Sequence, residues 1–335
     1  MGRWKEAFDT FNIYVMARDS ARTAETRRQT EMSSLELEAA RAENEAQTLR
    51  LKNQQLTFAE LFFGILALAI FFGIYMRSRH RAAMRLAEVK AEQERIQSEL
   101  RIARDIQMSM VPGVFPEIEG LDMAAYMNPA KEVGGDLYGF LLQGDKLYFA
   151  VGDVSGKGVP ASLFMAQATR LFRTLAAQGM MPAEICTRMN NALNEDNEQG
   201  MFVTMFLGLL DLQTGHLSFC NAGHNPPIVG GGDNRGDFLE MQPNAPIGLF
   251  PDLEYQGEEI DSVKGRALFI YTDGLNEAEN PQQEQFGDER LLSILRNTHF
   301  DSAQQVIETL KAEIEKHRKD AEPNDDLTMM CIRVN

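Results

Sequence analysis

Cysteine is scarce in this chain of 335 residues, which has only Cys186, Cys220 and Cys331. None of the three belongs to a C-x-x-C pair or lies at metal-ligand spacing from a histidine. The pattern argues against a disulfide scaffold and gives no sign of a zinc or redox site. We interpret the three as buried thiols in a reducing compartment.

Positive charge is also scarce, since the formal net charge is -16. A nucleic-acid partner requires clustered Lys and Arg to neutralise phosphates, and the chain has no basic stripe with interleaved aromatic residues. We therefore expect no nucleic-acid partner. With 44% hydrophobic and 24% charged residues, the chain is not of the disordered class and can bury one large core or two smaller ones.

One long apolar run stands apart from the rest of the chain. From Phe58 to Met76, the only charged residue is Glu60, near one end. As a helix this run would be roughly 28 Å long, about the thickness of the bilayer hydrocarbon core. Basic residues cluster directly after it, at Arg77, Arg79, His80, Arg81 and Arg85. The positive-inside rule then predicts a single-pass, uncleaved anchor in the cytoplasmic (inner) membrane, with the C-terminal half in the cytoplasm.

Both flanks of the apolar run show a heptad pattern. The upstream seam comprises Met32, Leu35, Ala39, Ala42, Ala46, Leu49, Asn53 and Leu56. The downstream seam comprises Leu86, Val89, Gln93, Ile96, Leu100, Ala103, Gln107 and Met110. Such seams predict a parallel homodimer through the linker helix. The alternative for the downstream seam is an amphipathic helix packed on its own domain.

The predicted domain boundaries follow these patterns and the helix-ending Pro112 and Gly113. We expect a helical and coiled-coil segment over 1–57, whose start resembles the last unit of a helical-repeat array, then a transmembrane helix over 58–76, a coiled-coil linker helix over 77–111, and a globular domain over 112–335.

Inside the globular domain, apolar runs predict strands and helical periods predict helices between them. The strands are predicted at 147–151, 202–210, 267–271 and 327–334, and the helices at 161–177, 182–196, 289–297 and 302–318. Runs of strands with helices grouped between them predict an α+β fold, a β-sandwich flanked by helices.

Short acidic motifs lie in fixed order along this domain. They are Gly134-Gly135-Asp136, Gly152-Asp153-Val154-Ser155-Gly156, Tyr271-Thr272-Asp273-Gly274 and Asn324-Asp325-Asp326-Leu327-Thr328. Each places an aspartate where an apolar run meets a turn, so the carboxylates can converge on one edge of the core. Oxygen ligands without His or Cys suit magnesium and manganese.

These motifs, together with Asn221-Ala222-Gly223-His224-Asn225-Pro226-Pro227 and the helix around 102–108, carry a family resemblance. The chain resembles the bacterial sporulation and stress-response (SpoIIE-like) branch of the PPM-type metal-dependent serine/threonine protein phosphatases. The resemblance covers nearly all of the chain after about residue 101.

The resemblance implies a site of two Mn2+ or Mg2+ ions in which water between the ions attacks a phosphomonoester. Residue by residue, it implies Asp136 and Asp153 as central ligands with the Val154 carbonyl, Asp273 and Asp325 as the remaining carboxylates, and Asp326 as a residue that supports the ligands from behind. Catalysis by Asp136, Asp153, Asp273 and Asp325 would thus run through metal-bound water.

Three further positions bear on the site. Lys131 is a candidate contact for the substrate phosphate, with a solvated lysine as the alternative. His224 suits a structural or substrate-loop role better than that of a base. Gly139 departs from the pattern, because relatives commonly carry an acidic residue there.

The resemblance implies a membrane-anchored phosphatase acting on phosphoserine or phosphothreonine of a regulatory protein, such as an antagonist of an anti-sigma factor. One alternative is a catalytically silent dimeric scaffold. Another is a nucleotide cyclase, since Gly134-Gly135-Asp136 resembles part of the diguanylate cyclase signature. The cyclase alternative lacks the next acidic residue, because Leu137 stands there.

Overall fold

The computed structural model describes residues 2–231 and 234–334 of the chain. The chain forms two units, one up to Lys90 and one from Ala91 onwards. Helix α1 (Gly2–Met110) provides all of the first unit. Its segment Phe58–Met76 is exposed throughout and is long and apolar enough to cross a membrane.

The second unit contains two antiparallel sheets flanked by helices. The strands are β1 (Leu121–Asn128), β2 (Leu137–Gln143), β3 (Lys146–Val154), β4 (Val203–Asp211), β5 (Leu217–Ala222), β6 (Ile228–Gly231), β7 (Asn234–Phe238), β8 (Glu258–Ile260), β9 (Arg266–Tyr271) and β10 (Leu327–Val334). The helices after α1 are α2 (Val159–Ala176), α3 (Pro182–Asn194), α4 (Asp273–Asn276), α5 (Asp288–Asn297) and α6 (Ala303–Arg318). One sheet has the order β1-β10-β9-β6-β7 and the other β2-β3-β4-β5-β8. The predicted α+β sandwich flanked by helices is confirmed.

The period-2 alternation of strand side chains divides the core into layers. On β10, Met330 and Ile332 join the large cluster shared with the second sheet, α2 and α3. The alternate residues Met329 and Cys331 join a second cluster under α5 and α6. The central strands are therefore apolar on both faces. All three cysteines are buried, as the sequence predicts.

Helix α6 shows how local sequence sets these elements. Ser302 caps its N-terminus, where the hydroxyl oxygen accepts a hydrogen bond from the Gln305 N–H at 3.2 Å. Leu310 and Ile314, four residues apart, are buried on one face against the first sheet. The helix thereby covers the sheet that presents Asp273 and Asp325.

The C-terminal end of α1 packs on its own domain rather than presenting the whole predicted seam. Leu100 is half-buried and Gln107 is buried, whereas Ile102 and Ile106 are exposed. The expectation that Gln107 occupies a heptad position facing a second chain is wrong. Its carboxamide instead makes hydrogen bonds to the backbone of Gly134 in the same chain.

Gly208 is required by the close packing of β3 on β4. It lies directly opposite Phe149 in the strand register, and a Cβ at this position would overlap the Phe149 ring. We expect Gly208→Ala to displace this fully buried ring and to lower the free energy of unfolding by about 1–3 kcal/mol. A thermal melt of the full chain checks this against Gly113→Ala, since Gly113 has nothing within 4 Å of an added Cβ. Equal melting temperatures for the two variants would contradict it.

Candidate active site

The acidic motifs meet at one end of the sandwich because of the strand order. Asp136 directly precedes β2 and Asp153 lies near the end of β3, and these strands pair with Leu137 opposite Gly152. Asp273 begins α4, two residues after the end of β9, and Asp325 lies two residues before β10, which pairs with β9. The two sheets thus each bring a pair of motifs to the same edge.

Asp136 is the most deeply buried of these carboxylates, at 2% exposure. The Thr272 hydroxyl, from the end of the other sheet, donates a hydrogen bond to its Oδ2 at 2.8 Å. Burial, and then the charge of Asp153, raises the pKa of Asp136 well above its ordinary value. The neutral, protonated form of Asp136 is therefore favoured in the absence of a nearby cation.

Asp153 is the common neighbour of the other acidic residues. Burial, followed by the charges of Asp273, Asp325 and Asp326, raises its pKa to about 7. Burial and then the charge of Asp325 also raise the pKa of Asp273. These carboxylates thus repel one another across the junction of the two sheets.

Asp326 holds the loop that carries Asp136. Its Oδ1 accepts a hydrogen bond from the Ala130 N–H at 2.7 Å, and its Oδ2 accepts one from the Gly135 N–H at 2.6 Å. Glycine is needed here, because a Cβ on Gly134 would overlap the Asp326 carboxylate and one on Gly135 would lie 2.9 Å from the Val154 carbonyl oxygen. Asp326 therefore links the two sheets at the site. The Val154 carbonyl lies close to the same loop.

Lys157 supplies a positive charge at this edge. Its Nζ lies 2.9 Å from Oδ2 of Asp325 and donates a hydrogen bond to the Asn324 carbonyl at 2.6 Å. Read alone, the sequence Gly156-Lys157-Gly158 indicates only a turn and a helix start. The positive φ of both glycines fits that turn, and the ion pair is an additional feature that only the fold reveals.

The donor set fits magnesium or manganese in chemistry. Its side chains are carboxylates, and among the described residues none of Asp136, Asp153 and Asp273 forms a salt bridge. Within those same residues, no three His, Cys, Asp or Glu side chains are already gathered as a metal centre. We attribute the lack of such a cluster among the described residues to the existing partners of two carboxylates. Asp325 is paired with Lys157, and Asp326 accepts hydrogen bonds from backbone amides.

His224 is fixed beside this edge in a neutral form. Its Nδ1 lies 3.0 Å from Oγ1 of Thr204, and Thr204 is opposite Asp153 in the β3–β4 register. Burial lowers the pKa of His224 to about 4. The imidazole is therefore uncharged at neutral pH, which agrees with a structural role.

Of the two other positions considered from the sequence, Lys131 is exposed and Gly139 is packed against α2. The Lys131 side chain is exposed, and its carbonyl accepts a hydrogen bond from Arg104 at 3.2 Å. A Cβ on Gly139 would lie 3.2 Å from the ring of Phe172 in α2. An acidic side chain at residue 139 would thus meet an aromatic ring, which accounts for the glycine.

The raised pKa of Asp153 predicts a pH dependence of the metal-free protein. A carboxyl group with a raised folded pKa stabilises the fold below its unfolded pKa of about 4. That contribution is lost as the pH rises through about 7. We expect the melting temperature in chelator to fall across this window, and to fall less in Asp153→Asn. The exposed Asp261→Asn is the control. Parallel curves for the wild type and Asp153→Asn would contradict the assignment.

Two known bacterial proteins are similar in sequence to most of this chain. The chain is 29% identical over 291 residues to Protein IcfG of Synechocystis sp., covering 78% of this chain and 45% of IcfG. It is 27% identical over 249 residues to phosphoserine phosphatase RsbU of Bacillus subtilis, covering 72% of this chain and 71% of RsbU. The chain therefore spans less than half of IcfG but most of RsbU.

The fold has close structural counterparts. The SiaA-PP2C domain of Pseudomonas aeruginosa superposes with a TM-score of 0.63 at 23% identity, covering 73% of this chain and 99% of that domain. The architecture is thus that of a PP2C domain, the fold of PPM-type phosphatases.

Residues 143–335 match the family described as Stage II sporulation protein E (SpoIIE). The match covers more than half of the chain and includes Asp153, Asp273 and Asp325, whereas Asp136 lies just before it. The chain belongs to the Stage II sporulation protein E family.

Proposed function

We propose that this protein is a metal-dependent protein serine/threonine phosphatase that removes phosphate from a regulatory protein. The observation that carries the proposal is the convergence of Asp136, Asp153, Asp273 and Asp325 at one end of a PP2C fold. The name of RsbU, a phosphoserine phosphatase, supports the same substrate class. An antagonist of an anti-sigma factor remains the proposed type of substrate protein.

The proposed site holds two Mg2+ or Mn2+ ions. Asp136, Asp153 and the Val154 carbonyl would hold them from one sheet, and Asp273 and Asp325 from the other. When bound, such ions neutralise charge on phosphoryl oxygens and make water a better nucleophile at neutral pH. Asp326 holds the loop of Asp136 in place, and Thr272 orients the Asp136 carboxylate.

Two lysines have separate proposed roles. Lys157 compensates the charge of Asp325, and its exposed position would let it move aside if Asp325 held a divalent cation. Lys131 lies on the loop that leads to Asp136, and its exposed side chain suits a contact with the substrate phosphate. His224 is neutral and buried, so it orders the strand beside Asp153 rather than transferring a proton.

A catalytically silent scaffold is the second candidate, because Asp325 is paired with Lys157 and no ready-made metal cluster occurs among the described residues. The cyclase alternative is weaker still. Leu137 occupies the position of the next acidic residue of the cyclase signature, and it is fully buried in the apolar core at the start of β2.

Hydrolysis of an aryl phosphate and of a phosphoserine peptide by the full chain in detergent separates these candidates. We expect activity with Mn2+ or Mg2+ and none with chelator. Asp273→Asn should lose more than the roughly 10- to 100-fold that removal of an outer partner of a metal site costs. The exposed Asp261→Asn should retain full activity. Wild-type protein that binds Mn2+ but releases no phosphate would favour the scaffold.

We propose that the chain is organised as a helical segment over 1–57, a membrane span over 58–76, a linker helix over 77–111 and the phosphatase domain over 112–335. The exposed apolar side chains of Phe58–Met76 support the span, and the basic residues after it support a cytoplasmic phosphatase domain. Exposed Leu86, Val89 and Ile96 support a parallel homodimer through the linker.

The membrane span predicts a simple fractionation result. The full chain is expected to sediment with membranes and to resist extraction at alkaline pH, because an apolar helix of this length partitions into the bilayer core. A chain that begins at Arg77 should remain in the soluble fraction. Extraction of the full chain by alkaline carbonate would contradict a spanning segment.

A further inference from the structure

The last turns of α1 bind the loop that carries Asp136. This loop, residues 129–136, lies between β1 and β2 and belongs to neither strand. Gln107 is only 4% exposed, and its Nε2 donates a hydrogen bond to the Gly134 carbonyl at 2.7 Å. Its Oε1 accepts a hydrogen bond from the Gly134 N–H at 3.1 Å. One side chain of α1 thus satisfies both polar groups of one residue in the loop.

Arg104, one turn earlier on α1, holds the start of the same loop. Its Nη1 donates a hydrogen bond to the Lys131 carbonyl at 3.2 Å, and its Nη2 donates one to Oδ1 of Asn128 at 3.3 Å. Beyond the end of α1, the Tyr138 hydroxyl donates a hydrogen bond to the Pro112 carbonyl at 2.9 Å. Helix α1 therefore contacts the loop at Lys131 and Gly134, and the segment just after α1 contacts the strand that follows the loop.

Asp326 fastens the opposite side of the loop through the N–H groups of Ala130 and Gly135. Gly134 lies between these two attachments, with Gln107 on one side and the Asp326 carboxylate against its Cα on the other. The next residue after Gly135 is Asp136. The position of the Asp136 carboxylate therefore depends on contacts from two separate parts of the chain, α1 and Asp326, the residue directly before β10.

Removal of the Gln107 carboxamide would leave the Gly134 N–H and carbonyl buried without partners. Buried, unpaired backbone groups are costly, so the loop would move to recover hydrogen bonds. Hydrogen bonds of this kind weaken over displacements of an ångström or less. A small shift of Gly134 would move Asp136, two residues away, with respect to Thr272 and Asp153.

We propose that Gln107 is a positioning residue for the metal site, which fixes Gly134 and thereby sets the Asp136 carboxylate. Its effect on catalysis rests on the proposed phosphatase function, whereas its effect on the loop does not. The end of α1 is then part of the active-site framework, and a displacement of α1 acts on Asp136 directly through this side chain.

The test compares Gln107→Met with Gln97→Met in the full chain in detergent. Both substitutions remove a carboxamide at similar side-chain length on the same helix, but Gln97 is exposed. Hydrogen exchange of the metal-free protein is measured over residues 129–136 and over β3 and β4, and Mn2+ affinity is measured by titration calorimetry. Phosphate release is followed against Mn2+ concentration.

For Gln107→Met we expect faster exchange confined to residues 129–136 and Mn2+ binding weakened by about 10- to 100-fold. Hydrolysis should need more Mn2+ for half-maximal rate, with most of the rate returning at saturating Mn2+. Gln97→Met should match the wild type. If Gln107→Met unfolds, Gln107→Asn, which keeps the amide but is too short to span the gap, gives the same exchange readout.

Unchanged exchange and Mn2+ affinity in Gln107→Met would overturn the proposal. A uniform increase of exchange across β3 and β4 would also overturn it, because that result indicates a merely structural role. If the wild type shows no phosphatase activity, the proposed function fails, but the exchange comparison still decides whether Gln107 positions the loop.

Discussion

Repulsion between carboxylates at the end of the sandwich is the constraint on which the rest of this structure depends. Asp136 and Asp153 are placed where burial and neighbouring acids raise their pKa values, so both require compensation at neutral pH. Thr272 donates a hydrogen bond to Asp136, Lys157 pairs with Asp325, and backbone N–H groups donate to Asp326. In the proposed function a divalent cation would supply the larger compensation, so an arrangement that weakens the metal-free protein would suit a metal-dependent enzyme.

Separate elements share the task of holding the ligands in place. Asp326 joins the first sheet to the loop that leads into the second, and Thr272 reaches across the same junction to Asp136. Gln107 approaches the loop from α1. Because each attachment comes from a different part of the chain, the geometry of the site depends on how these parts pack together. A site built in this way can respond to events in α1 without any change in the ligands themselves.

The central strands and helices could be predicted from the sequence, because their apolar runs are long and bounded by glycine and proline. Strand β10 coincides with the predicted run at 327–334, and α3 differs from its predicted helix only at its C-terminal end. The other six strands, β1, β2 and β5 to β8, were not among the predicted runs, because their apolar stretches are short or interrupted by glycine and polar residues. The burial of Gln107 was also missed. A polar residue at a heptad position is equally compatible with a contact to a second chain and with a contact within its own domain. The hydrogen bonds between Gln107 and the Gly134 backbone, which only the structure shows, distinguish the two.

Part of the site could likewise be predicted from the sequence, and part could not. The four aspartates could be named because each lies where an apolar run meets a turn, and the fold does bring them to one edge. The ion pair of Lys157 with Asp325 could not be named, because it joins residues from distant parts of the sequence.

Crystals of the protein grown with Mn2+ and measured at the manganese absorption edge test the central claim most directly. The account predicts anomalous density among Asp136, Asp153, Asp273 and Asp325, with Lys157 no longer paired with Asp325. Saturating Mn2+ with no density at this edge, and with the Lys157 ion pair intact, would contradict it.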